Sequence, residues 1–175
     1  MPDHHKRHAH HHRHGINAVR VALITCSDSR TEADDESAKV LRAGLEAEGH
    51  EVVSTVIVPD EPAAISAALT AAALDAEAII TSGGTGLTAR DWTYEAVASR
   101  FTKTLDGFGE LFRMLSWEQV GAAAYLSRAT AGLMGETVVF VLPGAPGAAG
   151  LALEKLILPE LRHVCWLAVR DRDRT

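Results

Sequence analysis

Four short runs of aliphatic and β-branched residues set the plan of this chain: Val19–Thr25, Val52–Val58, Ala78–Ile80 and Thr137–Leu142. Each is mostly apolar, as a strand covered on both faces of a sheet must be. A fifth, weaker run, Ala122–Ser127, reads as a short strand, with Gly132 and Gly135 marking a turn. Between the runs the apolar spacing lengthens from two residues to about 3.6, the helical period. Ser37–Glu48 carries Val40, Leu41, Gly44 and Leu45 on one face and stops at Gly49. A second helix opens at Pro62, a residue suited to a first turn, and spaces Ile65, Ala68, Leu69 and Ala72 along one buried face. Thr93–Phe101 turns Tyr94, Val97 and Phe101 inward, and Gly107–Gln119 sets Phe108, Leu111, Phe112 and Leu115 on one stripe. A last helical region runs to Val169 and is expected to kink or split at Pro159. Strands alternating with helices predict a three-layer α/β/α fold on a mainly parallel sheet, as one domain over residues 18–175.

The loops that break these runs carry the chemistry. Ser27-Asp28, Pro59-Asp60, Ser82–Gly86 and Pro143–Gly147 follow the four clear strands directly. In a parallel sheet all four emerge at one edge, where open α/β sheets place their ligands. The densest is Ser82-Gly83-Gly84-Thr85-Gly86, which leads on to Asp91. Glycine lets the backbone approach a ligand closely, and a strand opening into a Gly/Ser/Thr loop offers N–H and hydroxyl donors to a phosphate. A carboxylate beside such a cradle suits Mg²⁺ better than the phosphate itself. The same residues also fit a glycine-rich turn with Asp91 as a helix cap, and Asp60 fits a cap at the start of its own helix. There is no Walker sequence, and no G-x-G-x-x-G lies between a strand and a helix.

Composition narrows the choice. The chain has 175 residues, 47% hydrophobic and 23% charged, as in a soluble globular protein with a sizeable core. A net charge of −6 argues against a nucleic-acid groove. Cys26 and Cys165 lack metal-ligand spacing and suggest a reducing compartment. No signal peptide or membrane-spanning run is read, so a cytoplasmic location without a membrane partner is expected. Residues 1–17 stand apart as a tail holding seven of the nine histidines, at positions 4, 5, 8, 10, 11, 12 and 14. With Lys6, Arg7 and Arg13 and no core-forming residues across 1–14, it is expected to be disordered and to bind transition metals adventitiously. Metal storage by this tail is the weakest functional reading. Only His50 and His163 lie elsewhere, which disfavours histidine-based acid–base or nucleophilic chemistry. Transfer of a phosphoryl or nucleotidyl group by positioning and charge neutralisation fits better.

Five segments add a resemblance. Ser82-Gly83-Gly84-Thr85-Gly86, Arg90-Asp91-x-Thr93, Gly107-Phe108-Gly109-Glu110, Ser127-Arg128 and Leu142-Pro143-Gly144 occur in the order and spacing of the MoaB/MogA proteins of molybdenum-cofactor biosynthesis. These are related to the G domain of gephyrin, and the run from Glu110 to Gly121 resembles the MoaB branch in particular. The resemblance spans residues 19–165. It implies binding of molybdopterin and its Mg²⁺- and ATP-dependent adenylylation, with release of pyrophosphate, before an insertase adds molybdate. Asp60 and Asp91 become the catalytic pair, holding Mg²⁺ through the phosphates. Ser82, Gly83, Gly84, Thr85, Gly86, Pro143 and Gly144 become nucleotide-phosphate contacts. Ser27, Asp28, Ser127 and Arg128 become contacts to pterin or phosphate. A homotrimer or homohexamer is implied, and Met114 and Trp117, turned outward from their helix, are expected at a subunit contact. The chain departs from the family's Asp-Val-Thr-Pro-Glu-Ala at Trp92 and Tyr94. A non-catalytic carrier or scaffold that binds pterin or nucleotide is the alternative function.

Overall fold

The computed structural model describes residues 17–170, so the expected histidine tail, Asn17 apart, lies outside the described residues. Four strands run parallel: β1 (Arg20–Cys26), β2 (Glu51–Val58), β3 (Ala78–Ser82) and β6 (Thr137–Leu142). With β4 (Lys103–Thr104) and β5 (Thr130–Met134) they form one six-stranded sheet of order β2-β1-β3-β6-β5-β4. The β5 strand is antiparallel to both its neighbours, giving the three-layer, mostly parallel α/β/α architecture predicted. Alternation along each strand sorts the core into two layers. Val21, Leu23, Ile80, Val138 and Phe140 face α1 (Glu36–Ala47), α4 (Asp106–Val120), α5 (Pro146–Ala152) and α6 (Leu158–Val169). Ala22, Ile24, Ile79, Val139 and Val141 face α2 (Pro62–Ala72) and α3 (Thr93–Ala98). Among the described residues no helix is long and apolar enough to cross a membrane.

The antiparallel flank departs from the sequence reading. Residues Gly121–Leu126 form a 3-10 helix, not a strand, because Gly121 leaves α4 at φ 57° and the alanines that follow lack the β-branching that favours strands. The fifth strand starts later, at Thr130, where β6 offers it an edge. Gly132 lies inside that strand; a Cβ there would stand 2.5 Å from the Phe101 ring and 2.7 Å from the Lys103 carbonyl. Gly135 alone of the two makes the turn, at φ 63°. The third helix ends at Ala98, short of Phe101.

Two helix faces are also corrected. Leu111 is 46% exposed, because α4 buries the face of Gly109, Phe112 and Ser116. Val40 is likewise exposed, while Ser37, Ala38, Leu41 and Leu45 bury the inner face of α1. The C-terminal helical region does split, but one turn early: Leu153–Ile157 widen into a π-helical turn before Pro159 enters α6. A proline has no N–H for the preceding carbonyls, and the wider turn absorbs that mismatch.

Candidate functional site

Because β1, β2, β3 and β6 are parallel, their four carboxyl-end loops leave one edge of the sheet together. Backbone bonds hold them in register: Ser27 N–H donates to the Val58 carbonyl at 2.9 Å, and Gly83 N–H to the Leu142 carbonyl at 3.1 Å. Gly144 lies against Gly83 so closely that a Cβ on it would stand 3.1 Å from the Gly83 Cα.

The glycine loop needs its glycines for stated reasons. Gly83 and Gly84 have φ values of 91° and 60°, a region L side chains rarely adopt. A Cβ on Gly83 would strike the Cys26 carbonyl, and one on Gly84 would strike the Asp60 carboxylate and the Thr93 hydroxyl. At Gly86 a Cβ would come within 2.7 Å of Asp91 Oδ2. The loop therefore lies directly on two carboxylates, with no room for side chains between.

Those carboxylates sit in different environments. Asp60 Oδ1 accepts from Trp92 N–H at 3.0 Å and from the Thr93 hydroxyl at 3.4 Å. Asp60 thus caps α3 across the loop rather than its own helix, where Glu61 occupies the cap position without a side-chain bond. Burial raises the Asp60 pKa; the bonds from Trp92 and Thr93 oppose the rise, and the charges of Asp91 and Asp28 add to it. Asp91 Oδ2 accepts from Thr88 N–H at 2.8 Å and the Thr88 hydroxyl at 2.6 Å. Chiefly through that hydroxyl, the Asp91 carboxyl is held below the usual range. The Asp91 side chain therefore closes its own turn and does not cap α3. Pairs of acids pushed apart in this way commonly divide a task between them.

The loops enclose a cavity of about 360 Å³, lined by Ser27, Arg30, Gly83–Gly86, Asp91 and Gly144 among others. Asp60 lies behind Gly84 rather than on the lining, and Ser82 is buried at the end of β3. Pro143 precedes the lining without joining it. Asp28 supports the site from outside: its Oδ1 accepts from Asp60 N–H at 3.1 Å and its Oδ2 from Arg90 at 2.7 Å. Cys26 also faces this cavity, and burial pushes its thiol up to about 11, so it stays protonated at neutral pH.

Ser127 and Arg128 belong to a neighbouring cavity of about 520 Å³, together with Tyr94, Glu110, Arg113 and Tyr125. Arg128 joins the two. Its Nε donates to the Thr85 carbonyl at 2.9 Å, its guanidinium pairs with Glu95, and it lies 4.9 Å over the Tyr94 ring. Sequence reasoning missed Arg30, Thr93 and Tyr94 as parts of this arrangement. Arg30 follows the Ser27-Asp28 turn closely enough to have been found by extending that loop.

Comparison with known proteins agrees with this fold. The family described as "Probable molybdopterin binding domain" matches residues 22–163. Molybdenum cofactor biosynthesis protein B of Bacillus subtilis (strain 168) is 46% identical over 157 residues, covering 88% of this chain and 92% of that protein. The protein of the same name from Halalkalibacterium halodurans is 44% identical over 165 residues, covering 93% and 97%. The crystal structure of the tungsten cofactor synthesizing protein MoaB from Pyrococcus furiosus superposes with a TM-score of 0.81 at 38% identity, covering 87% of this chain and 98% of that one. This chain therefore belongs to the molybdopterin-binding domain family of molybdenum cofactor biosynthesis proteins and stands with its MoaB members.

Proposed function

We propose that the protein binds molybdopterin and transfers the adenylyl group of ATP to its phosphate, releasing pyrophosphate. The observation that carries the reading is the glycine loop seated on Asp60 and Asp91, beside the cavity that holds Arg128. A phosphate oxygen of molybdopterin attacks the α-phosphorus of ATP, and the bond from that phosphorus to the β-bridging oxygen breaks. The electron pair leaves with pyrophosphate. A phosphate dianion carries no proton to remove, so the reaction asks for positioning and charge neutralisation rather than a general base. That demand suits a site without histidine.

The chain's residues divide the work. Backbone N–H groups of Gly84 and Thr85 hold nucleotide phosphates, and Tyr94, Tyr125 and Arg128 suit a flat ring with an anionic arm. Asp60 and Asp91 are the residues that would hold Mg²⁺. Among the described residues no group of three or more His, Cys, Asp or Glu could hold a metal alone, so the phosphates must complete the shell. When bound, Mg²⁺ neutralises charge on the phosphates. The assembly is a homo-oligomer built on trimers in the cytoplasm, and an insertase takes the product.

The test is incubation of the protein with molybdopterin, ATP and Mg²⁺, followed by measurement of adenylylated pterin and pyrophosphate. Stoichiometric release of both supports the enzyme. Saturable binding of pterin and ATP without either product makes the protein a carrier instead.

A further inference from the structure

Arg30 is the sole Lys or Arg on the lining of the glycine-loop cavity among the described residues. Its position is fixed from several sides. Its backbone N–H donates to Ser27 Oγ at 3.2 Å. Its Nη2 donates to the Gly144 carbonyl at 2.7 Å, and its Nη1 to Ser37 Oγ at 2.9 Å. The buried carboxylate of Asp35 lies 3.7 Å from Nη1, and Asp35 Oδ2 has no hydrogen-bond partner. A guanidinium has five N–H donors, so these bonds leave donors for a further acceptor. Arg30 thus ties the β1 loop to the β6 loop and fixes a positive charge in the cavity that Asp91 also lines, where the glycine loop and Gly144 meet.

We infer that Arg30 is the residue that receives the departing pyrophosphate. This rests on adenylyl transfer at the same site. As the bond between the α-phosphorus and the bridging oxygen breaks, negative charge grows on that oxygen and its pyrophosphate. A held guanidinium meets that charge with paired N–H donors and no reorganisation. In this assignment the glycine loop keeps the α-phosphate, and Arg30 contacts the β- and γ-phosphates. Arg30 is a binding residue for the leaving group and takes no proton.

The experiment measures calorimetric binding of inorganic pyrophosphate, and separately of AMP, to the full chain and to Arg30→Gln. The double variant Arg30→Gln with Asp35→Asn is run beside it, because it removes both charges while Asn keeps the helix cap. In either variant that retains its thermal transition, pyrophosphate affinity falls at least about ten-fold, the cost of one charged hydrogen-bond pair. AMP, which lacks the departing phosphates, binds within about two-fold of the parent by the same reasoning. Unchanged pyrophosphate affinity, an equal loss for AMP, or a parent protein that binds no pyrophosphate would each overturn the assignment. The readout needs no molybdopterin. A parent that binds pyrophosphate through Arg30 but forms no adenylylated pterin would refute the proposed reaction and leave this contact in place.

Discussion

The parallel half of the sheet and its antiparallel flank solve different problems. In β1, β2, β3 and β6 every strand ends at the same edge, so four loops distant in sequence meet around one cavity. In the flank, β5 starts at that edge instead of ending there, so it brings only the loop that precedes it, Ser127–Ala129, while β4 has two residues. The flank instead presents α4 and the 3-10 helix, with Leu111, Met114, Trp117, Val120 and Tyr125 exposed. The division is one of surface: the parallel strands concentrate polar loop ends, whereas the flank has apolar surface to cover. The two are joined along the sheet by the β5–β6 pairing, and at the loop edge Arg128 reaches the Thr85 carbonyl. If the division is real, changes in one half should leave the other's readout unmoved.

The largest effect belongs to Asp91→Asn. Asparagine keeps the shape and can still accept from Thr88, so the loop and the thermal midpoint persist. Without the charge, adenylyl transfer should fall about 100-fold or more, near 2.7 kcal/mol. Steady-state assays of pyrophosphate release check this, and turnover at the parent rate would remove Asp91 from the metal site. Next comes Gly84→Ala. It places a β-carbon at φ 60° against Asp60 and Thr93. Strain and overpacking together should cost roughly 2–4 kcal/mol in chemical denaturation. An alanine variant as stable as the parent would mean the loop yields, and the close seating on Asp60 is not required.

The same division explains what could be read from the sequence. Strands β1, β2, β3 and β6 announce themselves because burial on both faces demands apolar runs, and each run ends in Gly, Pro, Ser or Asp. The loops' convergence followed from parallel pairing alone. The flank gave no such signal. Thr130–Met134 contains alanine and glycine, and its strand character comes from the β6 edge beside it. Gly132 looked like a turn because sequence cannot show the Phe101 ring that excludes a side chain there. Asp60 and Asp91 were singled out, but the Asp60 partners Trp92 and Thr93 were not, since those contacts cross loops, and Thr88 was passed over although it lies three residues from Asp91. Ser127 and Arg128, expected at pterin or phosphate, lie in the neighbouring cavity instead of the glycine-loop one, a separation that sequence order does not show.

Trp117→Glu tests the flank. Trp117 is 60% exposed and Met114 61% exposed on one side of α4. A charge set into a desolvated contact there should weaken self-association by roughly ten-fold or more. Folding stability of the subunit should change within about 0.5 kcal/mol, as for other exposed positions. Sedimentation at several concentrations reads the first and denaturation the second. ATP affinity should not change, because the residue lines neither cavity. Full oligomer mass in the variant would move the subunit contact off this helix.

The smallest effect lies at the start of β1, the end of the parallel half away from the site. His50 is 5% exposed, and its Nδ1 accepts from Val19 N–H at 3.1 Å. Its Nε2 has no partner among the described residues. Burial first, and then the positive charge of Arg162, holds its pKa below the ordinary 6.5, with Glu48 opposing. The sign follows from which state takes the proton. Below pH 6.5 the unfolded chain protonates this histidine while the folded chain resists. Neutral His50 therefore contributes its full stability above that pH, and the contribution is lost as pH falls toward the lowered folded value. His50→Asn offers an oxygen where Nδ1 stood and cannot titrate, so it keeps the Val19 bond at every pH. Carboxylates titrate in both proteins, and their effect cancels in the comparison. Between pH 7 and 5 the parent's thermal midpoint should fall more steeply than the variant's, by no more than a few degrees. Parallel slopes would mean that His50 takes its proton without opening this end of the sheet. A change in ATP binding on the same substitution would break the separation between the two ends of the strands.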